Sequence, residues 1–279
     1  MPDETPPRSD PGLREYGSSG PTVVLLHGGP GAPGYLAPVA QELAASFRVL
    51  EPLQRGSGSE TLTVARHVAD LRELLTSGDA PKRPALVGHS WGAMLALAFA
   101  AEHSDLIGSL VLVSCGTFDK VARRRLEANR ERRVDDGLRR RMERLEREAL
   151  DEDDCLARIG RLLLPAYSHD LVDHGLEFTG CDAAAYRQTW NDMLRLQAAG
   201  VYPAAFSAID LPLLMLHGVE DPHPGALIRA SLEPYVPQLE YREWNSCGHY
   251  PWLERAVREK FFSTLTDWLD RRSRSHAPV

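Results

Sequence analysis

The stretch Ala85-Leu86-Val87-Gly88-His89-Ser90-Trp91-Gly92-Ala93-Met94-Leu95-Ala96-Leu97-Ala98-Phe99-Ala100-Ala101 decides the reading of this chain. A short apolar run stops at a glycine, a serine stands between two glycines, and a run of helix formers begins at once. In that context G-x-S-x-G describes a sharp strand-to-helix turn that carries a nucleophile. A residue on so tight a turn must adopt strained backbone angles. Its neighbours two places away must be small, so that strand and helix can close around it. Gly88 and Gly92 meet that demand. A serine hydroxyl is a weak nucleophile at its free pKa. Ser90 therefore obliges the chain to supply a base, a carboxylate to orient that base, and N–H groups to receive developing negative charge.

Around this stretch, apolar runs bounded by glycine alternate with helical patterns. Val23-Val24-Leu25-Leu26 ends in His27-Gly28-Gly29-Pro30-Gly31, residues 37–46 read as a helix, and Arg48-Val49-Leu50 opens another strand. Val64, Val68, Leu71 and Leu75 fall at spacings of three and four, the mark of an amphipathic helix. Leu110 to Val113 and Leu213 to Leu216 are further buried strands, followed by a helix near 226–232 and a strand near 239–242. The last helix is expected near 253–269, and the tail 271–279 is expected to be disordered. Such a rhythm implies a mostly parallel sheet covered by helices on both faces. It breaks between about 117 and 205, where residues 121–150 are dense in Arg and Glu with good helix propensity. Interleaved acids make this a solvated helix face rather than a basic docking surface. The expected organisation is a core of 1–116 and 206–279 with a helical cap of 117–205.

The chain has 279 residues, 43% of them hydrophobic, enough for one large core with a modest lid. A net charge of −7 gives no footing for nucleic acid or an anionic membrane as the main partner. No basic, apolar leader opens the sequence, and no apolar run is long enough to span a bilayer. Cys115, Cys155, Cys181 and Cys247 show neither C-x-x-C pairing nor zinc-type spacing with His, so reduced thiols in a cytoplasmic enzyme are expected. No metal or organic cofactor is implied, and nothing indicates an oligomeric state.

With these motifs the chain resembles the α/β-hydrolases. His27-Gly28-Gly29-Pro30-Gly31 and Gln54-Arg55-Gly56-Ser57-Gly58-Ser59 are similar to the proline iminopeptidase branch. The resemblance covers roughly 13–116 and 206–272. It implies a mostly parallel sheet flanked by helices, with a helical cap inserted after the sixth core strand, and a Ser-His-Asp mechanism. Ser90 is the nucleophile. His249, in the loop between the last strand and the last helix, stands where such enzymes carry the base. His89 is set aside because a residue beside the nucleophile is expected to turn its side chain away. Asp221, three residues after Gly218, occupies the usual acid position, with Asp119 as the alternative. The oxyanion donors are the backbone N–H groups of Trp91, at a helix N-terminus, and Gly29; Pro30 has none to give.

Two departures bear on substrate. The family's Trp-Glu pair, which meets a free substrate amine, is replaced by Trp190-Asn191-Asp192, and the acid before Gln54 is replaced by Leu53. Asp182 and Glu177 are the remaining candidates for an amine anchor. Tyr186 and Trp190 lie four apart and share a helical face with Met193 and Leu196 nearby, a face that either lines the substrate pocket or forms the lid's own core. The reading expected from sequence is a serine hydrolase cleaving a small carboxylic ester or amide, acting on a small molecule or short peptide. The alternatives are a proline iminopeptidase-like aminopeptidase, acyl transfer or cofactor-free oxygenation on the same residues, and a non-catalytic ligand receptor.

Overall fold

The computed structural model describes residues 12–78, 81–148, 151–172, 176 and 180–274. Its strands are β1 (Gly12–Tyr16), β2 (Thr22–Leu26), β3 (Arg48–Leu53), β4 (Ala85–His89), β5 (Ser109–Val113), β6 (Leu213–Gly218) and β7 (Leu239–Trp244), forming one sheet in the order β1-β3-β2-β4-β5-β6-β7. All neighbours are parallel except β1 and β3. β1 escapes a hydrophobic reading because it is a half-buried edge strand. The interior strands are continuously apolar because both faces are covered. In β2, Val24 and Leu26 point into one core, and Val23 and Leu25 into the other.

The first core holds α2 (Val64–Thr76), α3 (Trp91–His103) and α8 (Gly225–Leu232); the second holds α1 (Ala37–Leu43) and α9 (Arg258–Arg274). Every residue of α3 from Trp91 to Ala100 is buried, as expected of a helix that is apolar all round. α2 starts where Thr63 accepts a hydrogen bond from the Arg66 N–H. The last helix begins later than its apolar spacing indicates, after a 3-10 turn over Pro251–Leu253. It also runs on through Arg271 to Arg274, so these residues are helical rather than part of a disordered tail; residues 275–279 lie outside those described.

Between β5 and β6 the chain forms α4 (Lys120–Arg133), α5 (Asp136–Glu148), α6 (Glu152–Leu163) and α7 (Ala183–Ala198). This insertion follows the fifth described strand; a count of six needs a strand before β1, and residues 1–11 lie outside those described. Its base is continuous with the sheet's first core, through Phe118, Ala122, Met193, Tyr202 and Phe206. From β2 the chain crosses to β3 on one side and returns to β4 on the other, so the C-terminal ends of β2 and β4 flank a topological switch point. No described helix is long and apolar enough to cross a membrane.

Candidate active site

Ser90 sits between β4 and α3 with φ 55° and ψ −115°, a left-handed conformation that a serine rarely adopts. Close approach around it is absolute. A Cβ on Gly92 would lie 2.1 Å from the Leu26 carbonyl oxygen, and one on Gly88 would lie 2.3 Å from the Gly92 carbonyl oxygen. The turn thereby brings the start of α3 against the end of β2. Gly29, with φ +49°, lies in the turn that follows β2. Among the described residues, neither the Trp91 nor the Gly29 N–H is spent on another hydrogen bond. Gln54 braces the two segments. Its side chain accepts from the Trp91 indole N–H at 2.8 Å and donates to the His27 carbonyl at 2.8 Å. His27 accepts the Gln54 N–H at Nε2 and donates from Nδ1 to the Gly28 carbonyl, a neutral ring whose pKa burial lowers to about 4.

His249 lies in the loop after β7, and its Nδ1 is 2.8 Å from Asp221 Oδ2, in the loop after β6. An ionised carboxylate only accepts, so this Nδ1 carries the proton and Nε2 keeps its lone pair. Asp221 is 3% exposed. Burial by itself raises its pKa, but the electrostatic influence of the adjoining His249 and His223 rings and the hydrogen bonds from both reverse that and hold it well below the usual carboxylate range. Its other oxygen accepts from the His223 backbone N–H at 2.8 Å and from His223 Nδ1 at 3.0 Å. The His223 ring stacks on His249 at 4.6 Å, and its pKa is lowered chiefly by burial. The alternative acid, Asp119, is occupied elsewhere, accepting the Ala122 N–H as the N-cap of α4.

His89 does not turn away from the site: it lines the same cavity as Ser90. Its Nε2 donates to the His249 carbonyl at 2.9 Å, and its Nδ1 accepts from the Tyr35 hydroxyl at 2.6 Å. That hydroxyl in turn accepts the Gly28 N–H at 2.6 Å. A buried chain of hydrogen bonds thus runs from the turn after β2, through the residue before Ser90, to the backbone of His249. Burial holds the His89 pKa well below its usual value, so the ring is neutral and keeps this donor–acceptor sense. The His249 N–H donates to the Tyr167 carbonyl at 2.7 Å, from the cap. Glu254, fully buried, accepts the N–H groups of Gly248, His169 and Asp170, tying the base's loop to the cap edge.

Ser90, Gly29, Trp91, His249, His223, Tyr186 and Trp190 all line one cavity of about 350 Å³ under the cap. No hydrogen bond joins Ser90 to His249 among those the described residues make; such contacts are often long until substrate binds. Trp190 also packs against the first core, whose buried members include Met193, so the α7 face serves cavity and core together. Asp182 is buried and is not among the residues that line the cavity. Its oxygens accept the Ser57 N–H at 2.6 Å and the Ala185 N–H at 2.8 Å as the N-cap of α7. Asp192 accepts the Val64 N–H and pairs with Arg195, and Glu177 lies outside the described residues. The four cysteines are free, and the Cys247 thiol is pushed up by burial, away from nucleophilic use.

Asp221, His223 and His249 offer three ligand atoms within 4.8 Å of one another. Both ring Nδ1 atoms donate to Asp221, so the carboxylate is satisfied by hydrogen bonding within the cluster.

Residues 23–259 match the family model described as "Alpha/beta hydrolase family". The chain is 24% identical over 287 residues to a proline iminopeptidase of Lactobacillus helveticus, covering 91% of each chain. It is 26% identical over 279 residues to a 2-hydroxymuconate semialdehyde hydrolase of Pseudomonas sp. (strain CF600), covering 92% of this chain and 89% of that one. Among solved structures it is similar to a thermophilic esterase from Thermogutta terrifontis, with a TM-score of 0.64, 20% identity and 94% of each chain covered. The family match takes in strands β3 to β7, nearly all of β2 and every described residue that lines the cavity, and the chain belongs to the alpha/beta hydrolase family and is a hydrolase.

Proposed function

We propose that this hydrolase cleaves a small carboxylic ester or amide through an acyl-enzyme on Ser90, with His249 as base and Asp221 as the acid that orients it. One observation carries the reading. Ser90, the unspent amides of Gly29 and Trp91, and a His249 tethered at Nδ1 to an ionised Asp221 converge on a single cavity. His249 Nε2 takes the Ser90 hydroxyl proton as Oγ attacks the substrate carbonyl, and the resulting oxyanion accepts the Trp91 and Gly29 N–H groups. The imidazolium then hands its proton to the leaving oxygen or nitrogen. Water, activated by the same ring, releases the acid and restores Ser90. Asp221 stays ionised throughout, fixing the tautomer and stabilising the imidazolium. The cap, residues 117–205, and the core, residues 1–116 and 206–279, divide the work: the core carries the reaction and the cap shapes the pocket.

The similarity to a proline iminopeptidase favours a second reading, an aminopeptidase. Against it, a substrate ammonium needs a counter-charge, and none of the described residues lining the cavity is a carboxylate. Asp182 and Asp192 are both spent on backbone N–H groups. The discriminating experiment compares fluorogenic aryl esters with prolyl and other aminoacyl anilides on one preparation. The ester reading predicts kcat/KM at least about tenfold higher for the esters, the factor that 1.4 kcal/mol of lost charge pairing represents. A prolyl anilide turned over as well as the best ester would replace it with the peptidase reading.

A further inference from the structure

We propose that the substrate carries an anionic group, a carboxylate some way from the scissile bond, and that Arg130 of the cap binds it. The proposal rests on the hydrolase reading above and narrows it to a substrate class. Three observations converge. First, of the described residues lining the cavity none is an acid, and Arg130 is the one side chain with a permanent charge; the rest of the wall is mainly aromatic and aliphatic, with Thr117, Cys181 and the histidines as its other polar members beside Ser90. Second, Arg130 makes no ion pair among the described residues. This is not for want of acids: the hollow on its other side is lined by Glu127, Glu131, Glu143 and Glu146. Its neighbour Arg133, one turn on, does pair, with Glu220 at 2.9 Å. Third, the guanidinium lies over the Tyr167 ring at 5.9 Å, and that ring meets His249 edge-on at 5.6 Å. A single tyrosine therefore separates the cation from the base, which suits a substrate with a short spacer between carbonyl and carboxylate.

The geometry also has a chemical sense. Arg130 is exposed at the rim of the cavity, where a planar guanidinium can grip a carboxylate in bidentate fashion and where its own desolvation is small. The tyrosine beneath it holds the stem in place by a cation–π contact. A cationic substrate would meet repulsion here and no compensating carboxylate among the described residues of the pocket.

The test uses matched pairs of aryl esters that differ only in charge. One pair places the carboxylate in the acyl half, a mono-aryl glutarate against the aryl valerate. The other places it in the leaving group, an acyl ester of 4-hydroxyphenylacetate against that of 4-hydroxyphenylacetamide. The proposal predicts that in at least one pair the anionic ester has the higher kcat/KM. It predicts further that Arg130→Gln lowers the anionic-to-neutral ratio by about tenfold, mainly through KM, as expected for one partly exposed charge-assisted contact. Arg130→Lys should recover part of that ratio, and raising ionic strength should erode it in the native enzyme. Binding gives a readout free of turnover: the Ser90→Ala protein should bind glutaramate more tightly than neutral valeramide by calorimetry, and the added Arg130→Gln change should abolish the difference. A neutral ester preferred in both pairs, or a preference that Arg130→Gln leaves intact, overturns the proposal. Failure of the underlying reading looks different, since the neutral esters would then be hydrolysed without need of Ser90.

Discussion

Removing one hydroxyl, by Tyr35→Phe, probes the chain of hydrogen bonds that fixes the floor of the site. The ring itself should stay, because it stacks on Trp252 at 6.4 Å and meets Tyr250 edge-on at 6.4 Å. What is lost is a group that accepts the Gly28 N–H and donates to His89 Nδ1, both at 2.6 Å, with all three residues buried. His89 cannot compensate by changing tautomer, since its Nε2–H is committed to the His249 carbonyl. Two buried polar groups are thus left unsatisfied at about 1–3 kcal/mol each, partly offset by the smaller desolvation of phenylalanine, for a net loss of about 3 kcal/mol. The catalytic consequence is separate. Gly28 precedes the proposed oxyanion donor Gly29, so a loosened turn should lower kcat by about tenfold while KM moves little. Guanidinium unfolding followed by tryptophan fluorescence, with aryl ester kinetics on the same preparation, measures both. His89→Phe removes the other end of the link, and the double variant should fall short of additivity by about 1 kcal/mol or more. Stability within about 0.5 kcal/mol of native together with an unchanged kcat would mean that the Tyr35 hydroxyl does not fix the floor of the site.

Asp221→Asn should reduce kcat on an aryl ester by about 10⁴-fold by presenting the wrong tautomer to His249, while Asp119→Asn should cost only helix-cap stability, about 1 kcal/mol; the reverse pattern would mean that the acid has been misassigned. His27 and His67, buried and neutral with pKa values lowered to about 4 from 6.5, bind a proton more readily once the chain unfolds. Their contribution is therefore present above pH 6.5 and is lost as pH falls towards 4, about 3 kcal/mol for each ring, a large fraction of a domain's stability. Urea titrations at descending pH should show that loss across this window, and stability constant from pH 7 to 5 would contradict it. Glu254→Gln replaces a carboxylate that accepts three backbone N–H groups by an amide that must turn a donor towards one of them, and should cost about 3 kcal/mol, read as a shift in urea midpoint.

The parts of the fold and site that can be read from the chain are those whose physical demand is local. Ser90 announces itself because the turn needs glycine at both Gly88 and Gly92 within a few residues, and the strands announce themselves because parallel strands buried on both faces are apolar throughout. The chain order of Asp221 and His249 carries as far as their loops and no further. What stays hidden is the long-range partner. Tyr35, His89 and His249 are linked across spans of 54 and 160 residues, and no spacing rule anticipates that. His89 is misread because a rule about neighbours on a turn ignores what lies beyond it. His223 had a faint signal, a polar residue framed by Pro222 and Pro224 just after the acid. Asp182 carried a clearer one, since an aspartate before Ala183-Ala184-Ala185 is a helix-capping pattern, and capping is the use the fold makes of it. The edge strand β1 and the extension of α9 to Arg274 were obscured by charge, which both tolerate because one side of each faces solvent.

In the proposed mechanism Ser90 is a nucleophile activated by His249. This role is tested most directly by treating the protein with a fluorescent alkyl phosphonate and mapping the adduct by mass spectrometry. One phosphonyl group per chain is expected, on Ser90, formed at least about a thousandfold more slowly in His249→Ala and absent in Ser90→Ala. Labelling that persists in Ser90→Ala, or proceeds at the native rate without His249, would contradict it.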